Sequence, residues 1–279
     1  MARVRVLILR AAGTNCDLET QHAWELAGAQ PERVHIRRLA ESASLLGEYQ
    51  ILTIPGGFSY GDDIAAGRIF AAQVQRWLGD ELNAFVSAGK LILGICNGLQ
   101  VLVQAGLLPF RKVGVERAAS ALQGRAEVEA GRTSDRTCTV AANEPPGFQD
   151  RWVYLRAPVE RCVFVERGRI YEMPIAHGEG RVTFASAADL AAVERDGQNA
   201  LLYTPPPAGQ PNLHGEPCNP NGSQGDIAGL CDESGRVLGL MPHPERFVTW
   251  TQHPCWTSLP PRTEGDGLAL FRRALGCFQ

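Results

Sequence analysis

Gly94-Ile95-Cys96-Asn97-Gly98 constrains this chain more than any other stretch, because of what stands on either side of it. Leu91–Ile95 is a short apolar run of the kind that forms a strand buried on both faces. Leu99, Leu102 and Val103 then mark a helix. A strand that turns so sharply into a helix needs glycine on both flanks, where a side chain would clash. The pattern is the cysteine counterpart of the G-x-S-x-G nucleophile elbow. Such a turn presents its central side chain at the carboxyl end of the sheet, the ligand-binding edge of open α/β folds. The helix N-terminus beneath it favours a thiolate.

The surrounding chain repeats that alternation. Val4–Leu9, Val34–Leu39 and Ile51–Ile54 read as strands, and Asp17–Ala27 as a helix stopped by Gly28. Between Ile69 and Val86 apolar residues recur mostly at spacings of four and three, a helical stretch broken near Gly79 and ended by Gly89. Strands alternating with helices imply an α/β fold with a parallel sheet covered on both faces. The second half reads differently. Residues 111–150 are polar, and Val163–Val165, Arg181–Phe184, Ile227–Cys231 and Val237–Met241 are short strands, with a turn at Asp232–Gly235. Residues 204–222, rich in Pro, Gly and Asn, form a long loop. Leu268, Phe271, Leu275 and Phe278 put an apolar stripe on a closing helix. With no repeat and no clean linker, residues 1–279 read as a single domain with an elaborated edge.

A cysteine nucleophile needs a base, and the base needs something to orient it. Met241-Pro242-His243-Pro244-Glu245-Arg246 follows the strand Val237–Met241, so an imidazole at His243 held by Glu245 can take the thiol proton and return it to the leaving amine. The same H-x-E spacing recurs at His177 and Glu179, among glycines in an expected loop with no strand before it. His243 is preferred, with His177 as the competitor. Pro55–Asp63, which ends the strand Ile51–Ile54, carries Gly56 and Gly57. Alone it reads as a glycine-rich turn; beside Cys96 its backbone N–H groups can face an oxyanion.

Composition narrows the function classes. A net charge of -3 gives no electrostatic reason to expect nucleic acid. No apolar run is long enough to span a membrane, and Val4–Leu9, interrupted by Arg5, is too short for a signal segment, so a cytoplasmic protein is expected. The eight cysteines form no CxxC pair, and His214 with Cys218 is the nearest approach to metal-ligand spacing, so no metal is expected. Neither GxxxxGK[ST] nor a GxGxxG after a strand occurs, so the usual phosphate cradles are missing.

Together, the elbow continuing to Gln100 and His243-x-Glu245 downstream resemble a class I glutamine amidotransferase. Gly13–Asp17, Pro55–Asp62, Pro174–Arg181, Asn219–Ser223 and Met241–Arg246 resemble more narrowly the glutaminase subunits of phosphoribosylformylglycinamidine synthases, of purine biosynthesis. The resemblance covers roughly residues 4–110 and 150–279. It implies a flavodoxin-like fold, a central mostly parallel sheet with helices on both faces and an extra β-rich edge. It implies a triad of Cys96, His243 and Glu245, oxyanion N–H groups from Gly57 and Asn97, and a glutamine pocket lined by Phe58 and Gln100. Its expected partners are a large synthetase subunit, which would hold ATP and Mg, and a small third subunit; this chain would need no cofactor. Residues 111–150 and 204–218 match the family poorly and read as insertions. The alternative is a stand-alone cysteine hydrolase of the γ-glutamyl peptidase or DJ-1/PfpI type.

Overall fold

A computed structural model of the protein describes residues 3–62, 66–109 and 137–279. In chain order the described elements are β1 (Arg5–Arg10), α1 (Asp17–Ala27), β2 (Gln30–His35), α2 (Ile36–Glu41), β3 (Ile51–Ile54), α3 (Arg68–Ser87), β4 (Leu91–Ile95) and α4 (Asn97–Gln104). They continue with β5 (Cys138–Ala142), β6 (Gln149–Arg156), β7 (Ile170–His177), β8 (Glu179–Phe184), α5 (Ala187–Arg195), β9 (Leu201–Thr204), β10 (Ile227–Cys231), β11 (Val237–Leu240) and α6 (Gly267–Gly276). One sheet carries most of the strands, in the order β2-β1-β3-β4-β11-β10-β9-β6-β7. Pairing is parallel from β2 to β11 and antiparallel from β11 onward, and β5 and β8 form a separate antiparallel pair. The β-rich edge expected from the resemblance is therefore an antiparallel extension of the central sheet.

β1, β3, β4 and β11 are the apolar runs, and they lie side by side with Leu7, Ile8, Leu52, Ile92 and Leu238 fully buried. Helices cover both faces, as successive strand residues require. The Thr53 hydroxyl accepts Nε1 of Trp24 from α1 at 3.0 Å, whereas Ile54, the next residue, meets Gly98 of α4. α1 is held in turn against α6, where Trp24 and Phe271 meet edge to face at 4.8 Å. α1 ends at Gly28 in the left-handed conformation, as the sequence indicates.

Several expectations fail for identifiable reasons. Val34–Leu39 is not one strand: β2 ends at His35, whose ring accepts the Arg37 N–H and caps α2, and Ile36 and Leu39 are buried one helical turn apart. β2 was obscured because it is a sheet edge of sequence Gln-Pro-Glu-Arg-Val-His, without an apolar pattern. Val163–Val165 is a turn, with Phe164 and Val165 buried; Val165 N–H bonds Cys162 O and Val163 N–H bonds Gly235 O. The strands of that region are β6 and β7, and Pro174 fits β7 because β7 is the other sheet edge. Gly79 does not break α3, since it lies where a side chain would meet nothing. Of the polar stretch 111–150, residues 111–136 lie outside the described residues, and the remainder supplies β5 and the start of β6. From residue 205 to 223 there is no helix or strand, as expected of a long loop.

Candidate active site

Cys96 adopts φ 52 and ψ -105, left-handed backbone that a non-glycine residue adopts only when its surroundings impose it. The imposition is visible. Its N–H is bound to Leu240 O at 2.7 Å, and the flanking glycines admit no substitute. A Cβ on Gly98 would stand 2.0 Å from Ile54 O, and one on Gly94 would stand 2.5 Å from Leu102 Cδ1. The turn from β4 into α4 therefore holds the sulfur at the carboxyl end of the sheet, 7% exposed, in the wall of a cleft of about 400 Å³.

β11 runs parallel beside β4 with Gly239 opposite Gly94 and Leu240 opposite Ile95. A chain leaving β11 at that register passes the sulfur, and His243 is stopped there by its N–H bond to Pro174 O at 2.8 Å. Nδ1 of the buried ring meets Oε1 of buried Glu245 at 2.6 Å, and Nε2 is left on the side of Cys16 and Cys96, without a hydrogen bond among the described residues. Gly56 is the slot through which ring and cysteine meet: a Cβ there would lie 2.9 Å from His243 Cε1 and 3.4 Å from Cys96 Cβ. Burial alone would lower the imidazole pKa. The Glu245 carboxylate and then Cys96 outweigh it and hold the ring well above the ordinary histidine range. The set can therefore take a proton from sulfur, keep it as a buried imidazolium, and give it up to a leaving group.

Gly57, Phe58 and Gln100 line the same cleft as Cys96 and His243, whereas Asn97 and Glu245 are buried and do not line it. Gly57 sits at φ 120, bridged to Thr14, where a Cβ would press on Asn15 N at 2.7 Å. Asn97 opens α4, so its N–H belongs to the first helical turn, at the positive end of the helix. Its side chain accepts Ser59 Oγ at 2.7 Å and donates to Gln100 Oε1 at 2.9 Å, while Gln100 Nε2 donates to Glu179 O at 2.6 Å. Gln100 thus shapes the cleft with its amide already engaged on both ends. Phe58 is half exposed at the mouth.

His177 also reaches the cleft, and its setting differs from the one expected: it ends β7, so a strand does precede it. Asn143 Nδ2 donates to Gly147 O and His177 O, so Asn143 Oδ1 accepts, from Gly180 N–H and from His177 Nδ1. That puts a proton on Nδ1. Burial, and then the neighbouring His243, push its pKa down to about 4. Among the described residues an amide, Asn143, and no carboxylate orients it. Among the cleft residues given no individual role by the sequence reading are Cys16, Arg246 and Ala176, whose carbonyl lies 3.9 Å from the sulfur of Cys96. Only their membership of the Gly13–Asp17, Met241–Arg246 and Pro174–Arg181 segments marked them.

Among the described residues two groups bring potential metal ligands within 4.8 Å of one another. In the first, Cys16, Glu19, His243 and Glu245, the Arg246 guanidinium already binds Glu19 and Cys16. In the second, Glu172, His214 and His253, the Cys255 N–H donates to His253 Nδ1, so Nε2 carries the proton it gives to Glu172 and has no lone pair for a cation. His214 turns to Glu172 and Cys218 to Glu216, so that pair converges on nothing.

Comparison with known proteins agrees with this geometry. A family model described as the CobB/CobQ-like glutamine amidotransferase domain matches residues 3–276. The chain is 43% identical over 279 residues to the phosphoribosylformylglycinamidine synthase subunit PurQ of Dehalococcoides mccartyi, covering 99% of this chain and 98% of that one. It is 42% identical over 248 residues to the PurQ subunit of Treponema denticola, covering 88% of each. It is similar throughout its length to a chain in the structure of PurLQS from Thermotoga maritima, with a TM-score of 0.68 at 27% identity and 100% of both chains covered. A cysteine elbow facing a carboxylate-held histidine, in a chain matched from end to end, leads to one assignment: this chain belongs to the CobB/CobQ-like glutamine amidotransferase family, beside the PurQ subunits of phosphoribosylformylglycinamidine synthases.

Proposed function

We propose that this chain is the glutaminase subunit of a phosphoribosylformylglycinamidine synthase. It hydrolyses glutamine to glutamate and ammonia and passes the ammonia to an ATP-dependent synthetase subunit, which converts formylglycinamide ribonucleotide to formylglycinamidine ribonucleotide in purine biosynthesis. The observation that carries the reading is the Cys96 elbow at φ 52 facing an imidazole bound to Glu245 at 2.6 Å, in one cleft. Cys96 Sγ attacks the glutamine carboxamide carbon as its proton passes to His243. The C–N bond then breaks, and His243 returns the proton to the departing nitrogen, leaving a γ-glutamyl thioester. Water, deprotonated by His243, attacks that thioester; the C–S bond breaks and glutamate leaves with the thiol restored. Glu245 orients the ring and balances its transient charge. Backbone N–H groups of Gly57 and Asn97 face the oxyanion of each tetrahedral intermediate. Phe58 and Gln100 shape the glutamine pocket.

The relatives' naming as subunits favours a partner-dependent enzyme over a stand-alone hydrolase. The partners in this reading are a large synthetase subunit, holding ATP and Mg, and a small third subunit. The missing phosphate-cradle motifs support placing the nucleotide there, with no cofactor in this chain. The site of action is the cytoplasm, and among the described residues no helix is long and apolar enough to cross a membrane. The test is Cys96→Ala assembled with the synthetase subunit. It is expected to lose glutamine-dependent synthesis and keep synthesis from added ammonia. Loss of both, in an intact assembly, would refute ammonia delivery as the role.

A further inference from the structure

His243 has two sulfurs beside it, and the reaction above uses one of them. A Cβ on Gly56 would meet His243 Cε1 at 2.9 Å, Cys16 Sγ at 3.1 Å and Cys96 Cβ at 3.4 Å, so the ring and both cysteines crowd one slot. Cys16 arrives from a distant part of the chain. It stands just before α1, with its N–H on Gly56 O at 3.4 Å, and its side chain, 1% exposed, reaches the cleft. Its sulfur receives Arg246 Nη2 at 3.2 Å and lies 3.3 Å from Asn15 Oδ1. Burial pushes the thiol up to about 11 in spite of its contact with His243, so it keeps its proton at neutral pH.

A protonated thiol can both donate and accept a weak hydrogen bond. That is what the second neighbour of a catalytic imidazole has to do. Before proton transfer Nε2 is a bare lone pair, and Cys16 S–H can turn to it. After transfer Nε2 carries a proton; Cys16 S–H can then turn to Asn15 Oδ1 and offer its sulfur to the ring. We propose that Cys16 is a positioning residue for His243, holding the ring against Cys96 in both protonation states and favouring the imidazolium. The proposal rests on the reading of Cys96 as nucleophile and His243 as base. The charged and titratable groups around that ring are Glu245 and Arg246 from its own segment, Glu19 of α1 through Arg246, Cys96 at the elbow and His177 at the end of β7. Cys96 in turn raises the pKa of the buried Tyr203 of β9, after burial itself.

The test compares Cys16→Val, which keeps bulk and removes donor and acceptor, with Cys16→Ser, which restores both. The first readout is the side-chain NMR titration of His243 in the full chain, its signal assigned by its loss in His243→Gln. The second is the alkaline limb of kcat for glutamine in the assembled synthase, where the imidazolium is lost. Cys16→Val is expected to lower the His243 midpoint by roughly half a unit to one unit and to move the limb with it. Cys16→Ser is expected to return both towards the native values. An unmoved midpoint in Cys16→Val, or a drop that serine does not reverse, overturns the proposal. Should the valine variant fail to fold, Cys16→Ala carries the same comparison. If Cys96 still forms its thioester in His243→Gln, the base assignment itself is wrong. If that thioester is lost while Cys16→Val leaves the midpoint in place, the role of Cys16 alone falls.

Discussion

Glu245→Gln isolates electrostatics from shape at this site. Glu245 and His243 are both about 1% exposed, and their 2.6 Å contact joins Nδ1 to one carboxylate oxygen. The amide keeps the volume and still accepts at that position, but it carries no charge. When Cys96 gives up its proton, the buried imidazolium then lacks its counter-ion. With charge centres about 4 Å apart and an effective dielectric of ~20, the lost attraction is about 4 kcal/mol. If all of it is felt in the transition state, kcat falls roughly a thousandfold. Glu245 does not line the cleft, so KM for glutamine is expected to change little. The assay is glutamine-dependent ammonia release by the assembled synthase, with synthesis from added ammonia as the control that the complex is intact. A kcat within about tenfold of native, or a loss confined to KM, would refute the claim that Glu245 acts by charge on His243.

Other outcomes follow from the same geometry. Gly98→Ala puts a methyl 2.0 Å from Ile54 O, so it is expected to cost about 1–3 kcal/mol of stability and to abolish thioester formation, read by thermal melting and by labelling with a glutamine-like electrophile. Gly79→Ala, with no neighbour within 4 Å inside α3, is expected to stabilise by roughly 0.5–1 kcal/mol in the same melt. His177→Gln is expected to keep thioester formation where His243→Gln loses it. His177 also sets an acid-stability term. Its pKa falls from 6.5 unfolded to about 4 folded, so its contribution is complete above pH 6.5 and is lost as pH drops towards 4. That amounts to roughly 3 kcal/mol, visible in urea unfolding and absent from His177→Gln.

What the sequence disclosed about this fold follows from how completely each segment is buried. β1, β3, β4, β10 and β11 are apolar because neighbours cover them, and all five were legible within a residue or two. β2 and β7 lie at the sheet edges, where Pro31 and Pro174 are allowed and polar residues are common, so neither resembled a strand. The site was legible for a related reason. Gly94 and Gly98 record backbone contacts that admit no side chain, and the His243–Glu245 pair sits immediately beyond a readable strand. Cys16 was not legible as a neighbour of His243, because their approach is created by tertiary packing through Gly56 and by no local pattern.

The alignment of β4 with β11 also bears on how such a chain tolerates added length. A slip of one position between those strands would carry His243 about 3.3 Å along the sheet and reverse its facing, so the approach of His243 to Cys96 depends on ladder bonds such as Cys96 N–H to Leu240 O. In sequence, residues 110–136 and 205–223 fall within neither of those strands nor the short steps from them to Cys96 and His243. Growth there leaves the chemistry aligned, whereas a single residue inserted between Leu240 and His243 would disarm a protein that still folds.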